Sequence, residues 1–147
     1  MLYIFMGQSC TGKSTAASKL KESIQANVFA GKDYLRLAKT EAEAWRVFQE
    51  ALSEAASGST NMIYVVTEIK QLERLGTING ACRIKFTAQL ETIKARFAQR
   101  MNGKLPQPVE KMLERQYAEW ENVEGDLHLD TTHNPDPAEL VTAILGH

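Results

Sequence analysis

The strongest constraint on the fold is the segment FMGQSCTGKSTAASKL at residues 5 to 20. In it an apolar strand is followed by a Gly-containing loop and then by a helix. The run LYIF before the break is typical of a buried strand, and KSTAASKLKESI after it is typical of a helix. Gly7 and Gly12 bracket four residues and are followed by Lys13 and Ser14, which fits the pattern G-x-x-x-x-G-K-[ST]. Glycine permits positive φ and close backbone approach, so several N–H groups can converge at the positive end of the helix dipole. The bend therefore predicts a site for an anion.

The same loop carries side chains that suit a triphosphate. We expect Lys13 to bridge the β- and γ-phosphates and the Ser14 hydroxyl to bind Mg²⁺, a hard ion that prefers oxygen ligands. Cys10 is either a small loop residue or a thiol made reactive by the N–H dipoles and Lys13. The predicted nucleotide-binding residues of the loop are Gly7, Gln8, Ser9, Cys10, Thr11, Gly12, Lys13, Ser14 and Thr15. This segment resembles the phosphate loop of the P-loop NTPase superfamily, which implies ATP and Mg²⁺ as cofactors.

Length and charge limit the remaining possibilities. A chain of 147 residues can bury one good core, so we expect a single domain over residues 1–147. The net charge of -1 provides no general field for nucleic acid or an anionic membrane, which argues against both as partners. No apolar stretch approaches the roughly 20 residues that span a bilayer, and two distant cysteines suit a reducing compartment. We therefore expect a cytoplasmic protein.

Strand and helix signals alternate along the chain. The predicted strands are LYIF, NVFA, MIYVVT, ACRIKFTA and DLHLD. Four further helices are predicted. One begins at the Thr40/Glu43 capping pair and ends before SGSTN, and another begins after Asp136. The other two are marked by the apolar residues Leu90, Ile93, Phe97 and Met101 and by Met112, Leu113, Tyr117 and Trp120. EIKQLERLGTING forms only a compact crossover, and Tyr117 and Trp120 are expected in the core. The pattern predicts an α/β fold with a doubly wound, mostly parallel sheet of about five strands and helices on both faces.

Two arginines follow at a spacing that suits phosphoryl transfer. Arg96 and Arg100 are four residues apart, on one helix face, and the Gly- and Pro-containing segment NGKLPQP follows them. The pattern resembles the lid of small kinases, in which arginines neutralise charge on the transferring phosphoryl and closure excludes water. We predict a lid at about 96–115 with Arg96 and Arg100 as catalytic residues and Arg115 as an acceptor-binding candidate. The alternative is a solvated basic helix face.

Asp33 lies just beyond the second predicted strand, at the edge of the sheet where the phosphate loop lies. Its carboxylate is predicted to accept a proton from an acceptor hydroxyl, as a catalytic residue, or to cap a helix, and it could do both. Arg36 follows within one turn and either binds an anionic acceptor or faces solvent. We predict an acceptor-binding helical segment at about 33–58.

Glu68 ends the third predicted strand, where related NTPases carry an acid that holds the magnesium shell. This weak similarity to a Walker B acid makes Glu68, with Ser14, a candidate metal residue.

Together these segments resemble the small P-loop kinases of the nucleoside/nucleotide, shikimate and gluconate kinase type. KDYLRLAK is similar to the acceptor stretch of polynucleotide kinases, and KARFAQRMNGKLP with VEKMLERQYAEWE is similar to the lid of guanylate kinases. DLHLDTTHNPDPAELVTAIL is similar to the last strand, adenine-side loop and closing helix of these kinases. The resemblance implies that Thr131, Thr132 and Pro135 approach the base. The chain lacks the Gly-Gly-x-x-x-Arg signature of shikimate kinase, and residues 33 to 58 are short for a guanine-recognition subdomain.

Three functions remain open on the sequence. The first is an ATP- and Mg-dependent kinase that transfers the γ-phosphoryl to a small hydroxyl compound, nucleoside or nucleotide. The second is a nucleotide-binding NTPase or regulatory module without an acceptor, although the guanine-reading N-K-x-D of a GTP switch is absent. The third is a polynucleotide 5′-hydroxyl kinase. The long helix at 41 to 56 would also offer a surface for a homodimer.

Overall fold

The computed structural model describes all residues from 1 to 147 and contains one parallel sheet. Its strands are β1 Leu2–Met6, β2 Asn27–Ala30, β3 Met62–Val66, β4 Ala81–Thr87 and β5 Leu127–Asp130. They lie in the order β2-β3-β1-β4-β5, and all four pairings are parallel. The order changes direction at β1, so the predicted doubly wound α/β sheet is confirmed and the loop after β1 lies at its switch point.

Six α-helices connect and cover the strands. They are α1 Lys13–Ile24, α2 Glu41–Ala56, α3 Ile69–Leu75, α4 Leu90–Arg100, α5 Gln107–Trp120 and α6 Pro137–Leu145, with a 3-10 helix at Asp33–Leu37. The predicted caps are present, since the Thr40 hydroxyl accepts from the Glu43 N–H at 3.2 Å and an Asp136 carboxylate oxygen accepts from the Ala138 N–H at 2.9 Å. The short α3 lies in the compact crossover, where no helix was predicted. None of these helices has the length and apolar character of a membrane span.

The sheet separates two apolar layers. Tyr3 and Phe5 of β1 pack with α1 and α6, and Leu2, Ile4 and Met6 pack with α2 on the opposite face. All residues of β1 and β3 are buried, which explains why their sequences are continuous apolar runs with no alternation.

A third, smaller cluster attaches α4 and α5 to the loop between β1 and α1. It consists of Cys10, Ala88, Ile93 and Leu113. Trp120 is buried as predicted, but the prediction that Tyr117 is a core residue was wrong, since it is 39% exposed. Leu113 and Trp120 lie two turns apart on the packed face of α5, and Tyr117 lies at the margin of that face.

Candidate nucleotide-binding site

The loop between β1 and α1 leaves its backbone donors unused. Gly7, Cys10 and Gly12 have positive φ values of 150°, 65° and 89°. The Gly7 N–H donates to the Val66 carbonyl at 3.2 Å, whereas the N–H groups of residues 8 to 15 have no acceptor in the protein. A run of unpaired N–H groups at the start of a helix is the arrangement that binds phosphate.

Close packing holds this loop in place. A Cβ on Gly7 would lie 2.3 Å from the Phe86 carbonyl oxygen, and one on Gly12 would lie 3.3 Å from a Thr131 methyl group. Gly7 is therefore required by space as well as by backbone conformation, whereas Gly12 is favoured mainly by its positive φ. The loop is confined between the end of β4 and the segment that follows β5.

Lys13 lies inside the loop and is 5% exposed. Its ammonium donates to the carbonyl oxygens of Gly7 and Gln8, both at 2.6 Å. Burial lowers the pKa of Lys13 to about 7; the Arg100 charge also lowers this pKa, and Cys10 opposes the shift. The cation therefore lies beside the unpaired loop amides, in a position to contact a phosphate that they bind.

Arg96 joins the loop to the segment after β5. One guanidinium nitrogen donates to the Cys10 carbonyl at 2.9 Å and the Thr131 hydroxyl at 3.2 Å. The other donates to the Thr131 carbonyl and, at 2.8 Å, to the Asn134 amide oxygen. The exposed Arg100 has no hydrogen-bond or ion-pair partner in the structure. Arg96 therefore positions two loops, and Arg100 is a free cation.

A cavity of about 380 Å³ lies beside the loop, on the side of α6. Its lining residues are Cys10, Gly12, Thr15, Arg96, Arg100, Thr131, Asn134, Pro135, Pro137 and Leu140. Two of the three residues expected near the base, Thr131 and Pro135, therefore lie together with the loop and both arginines. Thr132 does not line this cavity, because its hydroxyl donates to Asp130 at 2.5 Å and accepts from the Gln89 N–H at 2.9 Å.

Asp33 opens the 3-10 helix at the carboxyl edge of the sheet. Its carboxylate accepts from the Ala30 N–H at 2.9 Å, and the cap position itself is held by Lys32. The alternative that Asp33 caps this helix is therefore not what the structure contains. The side chain is exposed, and its second carboxylate oxygen has no protein partner.

The two arginines that were predicted to bind the acceptor contact other side chains. Arg36 is exposed and lies over the Phe29 ring, 4.7 Å from its centroid. Arg115 is 70% exposed and pairs with Glu119 one turn along α5, at 3.2 Å. Their predicted roles remain predictions.

The two candidate metal residues supply hard oxygen atoms. Ser14 is exposed in the first turn of α1, and Glu68 is exposed at the start of α3 without a side-chain capping bond. No group of three or more His, Cys, Asp or Glu residues forms a cage for a metal ion. This donor set fits Mg²⁺, which keeps several waters and binds through one or two protein oxygens and substrate phosphates.

Sequence reasoning missed how α5 is attached to the site. The buried Gln8 amide donates to the Leu113 carbonyl at 2.8 Å, and the Trp120 indole N–H donates to the Thr67 carbonyl at 3.1 Å. Between these two attachments, on the same face of α5, the Gln116 amide oxygen is buried without a partner. The amphipathic pattern of α5 was the only signal in the sequence, and it indicated that one face of the helix is packed. It did not indicate that Gln8 and Thr67 are the residues that this face contacts.

No protein-family model matches the chain, and no curated protein matches it by sequence. Solved structures match nearly its whole length. A sugar kinase from Janibacter sp. HTCC2649 has a TM-score of 0.65 at 18% identity, with 99% of this chain and 92% of that chain covered. Shikimate kinase from Aquifex aeolicus has a TM-score of 0.54 at 17% identity, with 99% and 94% covered. A gluconokinase from Sinorhizobium meliloti 1021 has a TM-score of 0.58 at 17% identity, with 98% and 89% covered.

These similarities confirm the predicted α/β fold, which the chain shares with a sugar kinase, a shikimate kinase and a gluconokinase. At such identities they describe the path of the backbone. The chemistry must be argued from the residues of this chain.

Proposed function

We propose that this protein is an ATP- and Mg-dependent phosphotransferase that acts on a small hydroxyl compound, nucleoside or nucleotide. The observation that carries the proposal is the unpaired run of N–H groups from residues 8 to 15, with the buried Lys13 ammonium beside it. Such a site offers a polyphosphate many preorganised donors and one positive charge. The likeness to kinases, which bind and transfer phosphoryl groups, supports the same reading.

The cations of the site have separate tasks in this proposal. Lys13 neutralises charge that develops on the leaving β-phosphate. Arg100, which has no protein partner, closes over the transferring phosphoryl and balances the charge on its equatorial oxygens. Arg96 holds the loop and the base-side segment in register through its bonds to Cys10 and Thr131, and contributes positive charge nearby.

Asp33 favours a hydroxyl acceptor over a phosphate. A hydroxyl loses its proton during transfer, whereas an acceptor phosphate is already ionised and needs no base. The free carboxylate oxygen of Asp33 lies at the edge of the sheet where the loop lies, in an exposed position that an acceptor can reach. Mg²⁺, bound through Ser14 and with Glu68 near its water shell, would supply further charge neutralisation on the phosphates.

A panel of acceptors with MgATP tests the proposal. Candidate sugars, alcohols, nucleosides and nucleotides are compared for acceptor-dependent ADP release and for a phosphorylated product. We expect Lys13→Met to lower turnover by about 10² to 10³, the usual cost of one preorganised charge. Lys19→Met, at an exposed position on α1, is the matched control and should keep wild-type turnover.

Arg100→Ala tests the lid in the same assay. We expect a loss of about 10² to 10³ in turnover with unchanged thermal stability, because this side chain bonds to nothing in the protein. Near-normal turnover of Arg100→Ala would reject the lid. ADP release that ignores every acceptor would favour the NTPase alternative, and unchanged turnover of Lys13→Met would overturn the proposal.

A further inference from the structure

The sheet face that is apolar on β1 and β3 becomes polar on β4 and β5. Met6 of β1 pairs with Lys85 of β4, which pairs with His128 of β5. One step along the same face, Thr87 pairs with Asp130. Paired residues of a parallel ladder point to the same side, so Lys85, Thr87, His128 and Asp130 form a two-by-two polar array. His128 and Asp130 are exposed on the edge strand β5, and the Thr87 hydroxyl and His128 ring form a hydrogen bond at 2.6 Å. Exposure does not explain Lys85, which is buried.

The array forms the floor of a cavity of about 220 Å³. The end of α5 covers it through Tyr117, Trp120 and Glu121, and Ile93 of α4 adds an apolar wall. Gln8 and Thr11 of the phosphate loop form one margin of the cavity. The cavity therefore adjoins the phosphate loop, but Lys13, Arg96, Arg100 and the base-side residues are not among its lining residues.

Lys85 is the deepest charge of this cavity and is 9% exposed. Its ammonium has three donors but a single acceptor, the Glu121 carbonyl at 3.3 Å, and it forms no ion pair. A buried charge without a counter-ion is costly, and an anionic group in the cavity would remove that cost. The floor therefore suits a carboxylate.

The opposite charge lies at the rim. One oxygen of the Asp130 carboxylate accepts from the Thr132 N–H at 2.9 Å and from the Thr132 hydroxyl at 2.5 Å. These bonds lower the pKa of Asp130 and keep it ionised. Its other oxygen has no protein partner, and the side chain is exposed. Glu121, the residue that follows α5, also lines the cavity and is exposed. The rim therefore suits a cation and disfavours a multiply charged anion such as a phosphate.

We propose that this cavity binds a small α-amino acid as a zwitterion. The carboxylate pairs with Lys85, the ammonium faces Asp130, and the side chain packs against Ile93 and Trp120. Lys85 and Asp130 are diagonal neighbours on adjacent strands and both line the cavity, so one small ligand that carries both charges can face both side chains. The proposal uses no step of the phosphoryl transfer and stands whether or not that transfer is confirmed.

Titration of the full chain, labelled with ¹⁵N, tests the site. The probes are glycine, alanine, valine and leucine, with isovalerate as valine without its ammonium and isobutylamine as valine without its carboxylate. We expect amide shifts at Lys85, Thr87 and His128, and binding of valine at least about tenfold tighter than of either half-ligand, the usual effect of one charged hydrogen bond.

Two substitutions locate the charges. Lys85→Met keeps the aliphatic stem and should weaken valine binding at least about tenfold, and the exposed Asp130→Asn should do the same. Lys19→Met is the control, and the dispersion of the ¹⁵N amide spectrum of each variant reports that it is folded.

Three results would overturn the proposal. The first is that none of the four amino acids shifts these amides at millimolar concentration. The second is that isovalerate binds as tightly as valine. The third is that folded Lys85→Met and Asp130→Asn bind valine like the wild type. The titration of the wild-type protein is enough to test the first two results. The proposal can therefore be rejected even if a variant fails to fold.

Discussion

At the scale of single residues, the phosphate contact that we propose for Lys13 would link nucleotide binding to proton binding. Burial lowers its pKa to about 7, so much of the free protein carries a neutral amine above that pH. A polyphosphate beside the amine favours the charged form and raises the pKa again. Between the pKa of the free protein and that of the complex, the complex holds more protons. If the loop binds a nucleotide as we propose, the affinity is therefore expected to fall as the pH rises above about 7.

This linkage predicts proton uptake on nucleotide binding. At about pH 8.5, where the γ-phosphate is already deprotonated, calorimetry in buffers with different ionisation heats should report up to about one proton taken up per MgATP bound. Below pH 7 the uptake from Lys13 should vanish, because the free amine is already charged. Lys13→Met should show no uptake at either pH. Equal heats across the buffers at the higher pH in the wild type would contradict the assignment.

At the scale of elements, local patterns predicted what local physics determines. The apolar runs of β1 and β3 and the caps at Thr40 and Asp136 depend on neighbouring residues, and each was predicted from the sequence. The seven-residue α3 was missed, because so short a helix is stabilised mostly by its tertiary packing and gives a weak periodic signal. Tyr117 was misplaced because periodicity identifies a helix face but not its margin.

In the candidate site too, local features were predicted from the sequence and long-range contacts were not. The motif at residues 7 to 14 predicted a loop of converging N–H groups between β1 and α1, and the structure contains one with unpaired N–H groups, because the glycines and the lysine act within a few residues of one another. Phosphate binding by this loop stays a prediction. The bond from Arg96 to Cys10 joins residues 86 positions apart, and the polar pairing of Lys85 with His128 depends on strand register. One sequence alone carries no signal for contacts between residues that are far apart along the chain. Neither contact was therefore predicted.

The close contact between Gly7 and the backbone of Phe86 in β4 gives a prediction for Gly7→Ala. The new methyl group would meet the Phe86 carbonyl oxygen at 2.3 Å, at a φ of 150° that L residues rarely adopt. We expect the free energy of unfolding to fall by about 3 kcal/mol, from combined strain and overpacking. Gly58→Ala is the matched control, because Gly58 also has positive φ but a Cβ there meets nothing within 4 Å.

Urea unfolding of both variants measures the difference. Gly58→Ala should lose only about 1 kcal/mol, the backbone part of the effect. Equal losses in the two variants would mean that the close approach of the loop to Phe86 contributes nothing.

At the scale of the whole molecule, stability is unevenly distributed. The clusters on the two faces of the sheet contain 15 and 14 buried apolar residues, whereas the cluster under α4 and α5 contains four. Elements with few buried contacts open at lower free energy than the core. The α4–α5 hairpin is therefore the part of the fold best suited to move as a lid.

Native-state hydrogen exchange tests this distribution. Amides of α4 and α5 should exchange well before those of β1 and β3, through local opening. Saturating MgATP should slow exchange in the hairpin, because Arg96 and Arg100 lie on α4 at the nucleotide site. Hairpin amides as protected as β1, or unaffected by MgATP, would contradict a closing lid.

The bond from Gln8 to Leu113 has a thermodynamic consequence. Gln8 belongs to the loop that we expect to bind phosphate, lines the polar cavity under α5, and is tied to that helix at 2.8 Å. An occupant that shifts this amide would alter the strength with which the loop binds its nucleotide. Thermodynamic reciprocity then requires the nucleotide to alter the affinity of the occupant by the same factor. The polar cavity and the phosphate loop would therefore be two thermodynamically coupled binding sites.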